Sequence, residues 1–238
     1  IQDLIKYFKV DYSEVELIIY RPSSVEPERV KKHLERRFVA NFKELIYSSD
    51  GEKPVFCLWF IDSNNCFEDR SVSHYDYVHP DQIEWYEKKA AKLREENGGK
   101  PVPSILFQHI PVNQEFDLFD FVEEKIEGAP EKYGKSLIPK DGAITEGLFR
   151  EAPCPPETER SQFESWKKTG DIVAAFFGHD HVNTFVAEID GIKLIQTLGA
   201  GYHTYGKERG GRLIVLHENS TDFDTETLVV ERITDIEL

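Results

Sequence analysis

Two short apolar runs, each closing on a histidine, constrain this chain more than any other feature. They are Ile105-Leu106-Phe107-Gln108-His109 and Ile172-Val173-Ala174-Ala175-Phe176-Phe177-Gly178-His179. Both are short and apolar and read as buried strands. If they run parallel in one sheet, His109 and His179 emerge at the same edge. That edge, beyond the strand C-termini, is where α/β sheets place ligands. His179 and His181 are two residues apart, so extended backbone points both to one side. Gly178 removes a side chain where the backbone would approach an ion closely. Neutral imidazoles bind Zn, Fe and Mn well.

The rest of the pattern supplies a scaffold for that edge. Residues 28–38 read as a helix with Val30, Leu34 and Phe38 on one stripe. Residues 42–47 and 55–61 read as a hairpin around Ser49-Asp50-Gly51. A helix is predicted over 80–96: Pro80 suits a first helical position, and Ile83, Tyr86, Ala90 and Leu93 form an apolar stripe. Residues 113–158 are polar and rich in Pro, Gly and charge, and read as an irregular insertion. A short helix over 162–168 precedes the second histidine-bearing strand. Residues 184–188 and 192–197 form a hairpin through Asp190-Gly191, and residues 212–217 and 227–233 read as two further strands. Helices alternating with strands, then a β meander, predict one α/β domain built in layers.

Composition narrows the function. The net charge of −15 disfavours sequence-independent nucleic-acid binding, because such a surface repels phosphate backbones. No apolar run approaches the roughly 20 residues of a membrane span. Three cysteines, Cys57, Cys66 and Cys154, are an odd count with no metal-ligand spacing, so a reducing, cytoplasmic compartment is expected. The chain begins at Ile1 and contains no methionine, which predicts a stretch of a longer protein. Small anionic substrates are not excluded, because bound metal ions can dominate a local field.

A Gly-His-x-His string is expected by chance in this composition roughly one time in sixty. Here it accompanies a His-x-Pro at the end of a separate strand. Phe107-Gln108-His109-Ile110-Pro111 and Gly178-His179-Asp180-His181 resemble the last two signature blocks of the calcineurin-like metallophosphoesterases, in the branch related to purple acid phosphatases. Leu58-Trp59-Phe60-Ile61-Asp62-Ser63-Asn64, Gln82-x-x-Trp85 and Gly199-Ala200-Gly201-Tyr202-His203-x-Tyr205-Gly206 are similar to other segments of that branch. The resemblance runs from about residue 40 to the end. It implies a four-layer α/β/β/α sandwich, here without its N-terminal part, and a dinuclear site of Mn, Fe, Zn or similar ions. It implies that His109 and His179 bind one metal and His181 the other. It further implies hydrolysis of phosphate mono- or diesters by a metal-activated hydroxide, the ions lying about 3.5–4 Å apart. The substrate would be a phosphorylated small molecule or a phosphoprotein.

The family's earlier blocks, Asp-x-His, Gly-Asp-x-x-Asp and Gly-Asn-His-Asp, do not occur in these 238 residues. They would supply the bridging carboxylate, an Asn ligand and a proton-donating His. No catalytic residue is therefore identified here, and the expectation is that these residues alone are inactive or nearly so. The competing reading is a catalytically incompetent binding or regulatory module that retains the fold. Asp180, Tyr202, His203 and Asn64 are candidates for supporting the metal ligands or lining the substrate pocket. His33, His74, His79 and His217 read as surface or loop histidines.

Overall fold

The computed structural model describes residues 16–18, 39–67, 69–157 and 160–230. The helix predicted over 28–38, and His33 within it, lie outside the described residues. The strands are β1 (Glu16–Ile18), β2 (Val39–Tyr47), β3 (Pro54–Phe60), β4 (Ser104–Phe107), β5 (Phe119–Val122), β6 (Glu131–Lys132), β7 (Lys135–Pro139), β8 (Ile144–Glu146), β9 (Ile172–Phe177), β10 (Val186–Ile189), β11 (Ile192–Gln196), β12 (Arg209–Leu216) and β13 (Phe223–Val230). Among the described residues two α-helices accompany them, α1 (Pro80–Glu96) and α2 (Ser161–Thr169).

Eight strands form one mixed sheet in the order β1-β2-β3-β4-β9-β11-β10-β8. Its centre, β3-β4-β9-β11, is parallel throughout. These strands are short, apolar and covered on both faces, as parallel strands must be. The predicted hairpins are present: β2 pairs antiparallel with β3, and β10 with β11. Asp190 and Gly191 turn the second hairpin with φ of 50° and 80°, backbone angles that a tight two-residue turn requires.

Both α-helices pack on one face. Trp59 of β3 meets Trp85 and Tyr86 of α1 edge-on, with ring centroids 5.8 and 5.0 Å away. Phe163 and Trp166 of α2 join the same core with Leu106, Ala175, Phe177 and Leu194. Helix α1 has the bounds read from its periodicity. Its inward face is Gln82, Trp85, Tyr86, Ala90 and Leu93, with Ile83 only half-buried. Gly170, at φ 66°, ends α2, its N–H donating to Trp166 O at 2.8 Å.

The opposite face carries an aromatic ladder across five strands. Phe42, Phe60, Phe107, Phe176 and Phe223 follow one another at centroid distances of 4.5, 5.1, 5.3 and 6.0 Å. The β12–β13 ribbon covers part of this face through Ile214, Leu216 and Phe223. The described residues are thus mixed α/β: a helix layer, a large sheet and a smaller β layer.

The segment expected to be irregular, 113–158, is instead built. It holds a 3-10 turn (Asn113–Leu118), the small sheet β5-β7-β6, and β8, which extends the main sheet beside β10. Leu118, Phe119, Leu137 and Phe185 give it a core of its own. Its many polar residues hid these strands because each is only two to five residues long.

Candidate functional site

Strands β4 and β9 are adjacent and parallel, so both chains leave the sheet at the same edge. The Gly178 N–H donates to His109 O at 3.2 Å, which carries the pairing past the end of β9. His179 Nδ1 then lies 3.2 Å from His109 Nε2, the rings meeting edge to face with centroids 5.0 Å apart. The edge predicted from the two apolar runs exists, and it brings these two histidines into contact.

Two imidazoles this close would repel if both were protonated. Loss of hydration pulls the His179 pKa down to about 4, helped by His109, His181 and Lys132. Desolvation and His181 also hold His109 below the usual imidazole range. Both rings are therefore neutral at pH 7, with lone pairs available to a cation.

His181 stacks on Tyr205, with centroids 4.6 Å apart. Its N–H donates to Tyr205 Oη at 3.4 Å, and Tyr205 Oη donates to Glu151 Oε2 at 2.7 Å. Its Nδ1 is buried with no hydrogen-bond partner among the described residues. A Cβ on Gly178 would sit 3.8 Å from His109 Nδ1, an ordinary contact. A Cβ on Gly199 would sit 3.2 Å from His181 Cβ. Gly199 is the glycine that makes room for a histidine here.

Asp180 faces away from this edge and is 1% exposed. Its Oδ2 accepts from Cys154 N at 3.4 Å and Gln196 Nε2 at 3.3 Å. The same Gln196 amide donates to both Glu115 oxygens, at 3.0 and 2.9 Å. Two buried carboxyls thus share one amide beneath the histidine loop. Burial, then Glu151, raises Asp180 to about 7. Burial, then Asp180, raises Glu115 well above the usual carboxylate range.

Tyr202 and His203 are exposed, Tyr202 at 54%; Tyr205, exposed at 53%, is the tyrosine whose ring lies against His181. Asn64 lies at φ 62°, and its amide donates to Tyr77 O at 2.8 Å and Gln82 Oε1 at 3.0 Å. Those bonds tie the end of β3 to α1 rather than to the histidines. His79 is buried, 3.0 Å from Asp76, not at the surface. Tyr75 packs edge-on against His179 at 4.3 Å. It went unread because nothing in its neighbourhood, Val72-Ser73-His74-Tyr75, has a period. Glu115 was equally invisible, because its partner Gln196 is 81 residues away.

These residues do not by themselves make a metal centre. Among the described residues no group of three or more His, Cys, Asp and Glu side chains is arranged to hold a metal ion. Asp180, the nearest carboxyl in sequence, is turned inward. A dinuclear centre does not fit this donor set alone.

The mixed α/β fold is compatible with that of a metallophosphoesterase, and comparison with known proteins specifies the branch. The chain is 30% identical over 176 residues to "Probable inactive purple acid phosphatase 29" of Arabidopsis thaliana, covering 70% of this chain and 40% of that protein. It is 33% identical over 162 residues to "Probable inactive purple acid phosphatase 14" of the same plant, covering 65% of this chain and 35% of that protein. "Probable inactive purple acid phosphatase 28", also from that plant, is 23% identical over 171 residues, or 70% of this chain and 38% of that protein. The chain belongs to the metallophosphoesterase branch related to purple acid phosphatases. It spans about two fifths of the length of these relatives. No family model matches it, and no solved structure does. No helix among the described residues is long and apolar enough to cross a membrane.

Proposed function

We propose that this chain carries the histidine side of a metal-dependent phosphoesterase centre, with His109 and His179 toward one ion and His181 toward a second. The observation that carries this reading is the 3.2 Å contact between His109 Nε2 and His179 Nδ1. Two nitrogens each about 2.1 Å from a common ion, at tetrahedral to octahedral angles, stand roughly 3.0–3.4 Å apart. The neutrality of both rings and the unpartnered Nδ1 of His181 support it further. Two ions from the Mn, Fe and Zn group, when bound, would supply a Lewis acid and an activated water. The chain's own residues orient the ligands: Tyr75 sets the His179 ring, and Tyr205 with Gly199 sets His181. Ligands beyond this set, a bridging carboxylate above all, belong to the same proposal, as do the four-layer sandwich and a phosphorylated small-molecule or phosphoprotein substrate. A cytoplasmic, reducing location is also proposed, on the three free cysteines.

A second reading has its own support. The three relatives carry "inactive" in their names, and the described donors do not converge in a group of three. On that reading the chain binds metal or phosphate without turnover. One experiment separates the two. Zn or Mn is titrated calorimetrically into the 238-residue chain and its His179→Ala variant, and each is assayed with a chromogenic phosphate ester. Metal-stimulated turnover lost in the variant supports catalysis. Histidine-dependent metal binding without turnover supports the binding module, and no histidine-dependent binding sinks both.

A further inference from the structure

The small sheet β5-β7-β6 holds a cation whose placement the histidine site does not yet use. Lys132 ends β6 and is half-buried. Its Nζ lies 5.7 Å over the Phe116 ring, 5.4 Å over the Tyr133 ring and 3.4 Å from Cys154 Sγ. Aromatic faces and a thiol can hold an ammonium in place, but they do not neutralise it. Among the described residues Lys132 makes no ion pair with a carboxylate, although its neighbours Lys125 and Lys135 both do. The Lys132 charge is felt by Asp180 and Glu157 nearby, yet among the described residues no carboxylate oxygen lies within ion-pairing distance, so its donors can turn to an incoming anion.

The hairpin is latched to the histidine edge from two directions. Tyr133, held at φ 53°, donates from its hydroxyl to Glu157 Oε1 at 3.4 Å. Glu157 Oε2 in turn accepts from Ser73 Oγ at 2.7 Å and His74 N at 2.9 Å. The next residue, Tyr75, is the one packed against His179. On the other side, Cys154, which touches Lys132, donates its N–H to Asp180 beside His179. The positive charge of Lys132 acts on His179 itself.

We propose that Lys132 is an anion-binding residue of the histidine site, donating from its ammonium to a terminal oxygen of a phosphoryl group held there. The inference rests on the phosphoesterase reading and adds to it the residue that would hold a phosphoryl oxygen.

The test is inorganic phosphate titrated calorimetrically into the 238-residue chain, with and without Zn. The variants are Lys132→Gln and Lys132→Arg, with Zn affinity and thermal midpoint measured on each. Lys132→Gln should bind phosphate about tenfold more weakly, the order of one charge-assisted hydrogen bond. Lys132→Arg should recover most of that loss, and both variants should still bind Zn. Equal phosphate affinity in wild type and Lys132→Gln overturns the proposal. So does the absence of phosphate binding by wild type. If Zn does not bind, the phosphoesterase reading fails separately. The metal-free titration then still decides the role of Lys132: Lys132-dependent phosphate binding upholds it and none overturns it.

Discussion

Replacing Asp180 with Asn should favour the folded state by more at pH 8 than at pH 5. The Asp180 carboxyl is 1% exposed and titrates near 7, against an ordinary 3.8. A group whose folded pKa is raised contributes stability that is full below the unfolded pKa and lost as pH rises through the folded one. Charging Asp180 in the native state at pH 8 therefore costs about 4 kcal/mol, at 1.36 kcal/mol per pH unit. The Asn amide avoids that cost and keeps an oxygen to accept from Cys154 N and Gln196 Nε2. It also removes the repulsion that helps raise Glu115. Against this stands a new amide N–H in a buried site, worth about 1–3 kcal/mol if it finds no acceptor. The net expectation at pH 8 is a gain of about 1–3 kcal/mol. At pH 5 the native carboxyl is protonated but the unfolded one is still ionised, so the relief shrinks to about 1.6 kcal/mol, at 1.36 kcal/mol per pH unit above 3.8. Set against the same amide cost, the variant should lie within about 1.5 kcal/mol of wild type there. Urea unfolding with chelator present, followed by the fluorescence of buried Trp59, Trp85 and Trp166, measures both. A difference between variant and wild type that does not change with pH would refute the raised Asp180.

Two further outcomes test the packing around the site. Gly210→Ala would place a Cβ 2.2 Å from the Leu228 carbonyl, whereas Gly211→Ala meets nothing within 4 Å. The first should lower stability by about 2 kcal/mol or more and the second should stay within about 0.5 kcal/mol, in paired thermal melts. Tyr75→Ala removes the ring against His179 and should weaken Zn binding several-fold in calorimetry while leaving the fold intact by circular dichroism; unchanged affinity would remove Tyr75 from the site.

The sequence carried the sheet and half of the site. Helix α1 and the strands ending at His109 and His179 were readable because local chemistry and tertiary need agree there. Pro80 starts a helix that has an apolar stripe to bury. Strands β4 and β9 are apolar because neighbours cover them on both faces. The β5-β7-β6 sheet was unreadable for the opposite reason. Its strands are too short to show alternation, and its polarity follows from facing solvent. The supporting residues were missed because their partners are distant in sequence. Tyr205, not Tyr202, meets His181, and nothing in the Gly-rich segment tells which tyrosine lies against that ring. Glu115 becomes a buried acid only when Gln196 arrives opposite it. Asn64 looked like a pocket residue because its strand ends at the histidine edge, yet its amide is committed to Tyr77 and Gln82.

The pairing of His109 with His179 has a kinetic consequence. The two residues are 70 positions apart. Bringing them together closes a loop whose length-dependent entropy is about 4 kcal/mol. Contacts of such separation form late and slow the search for the native state. An unfolded chain therefore offers an ion two isolated imidazoles and no bidentate pair. A metal that needs both rings cannot act as a template for folding and arrives only after the central sheet has closed. Once there, it holds by mass action a structure that it had no part in building.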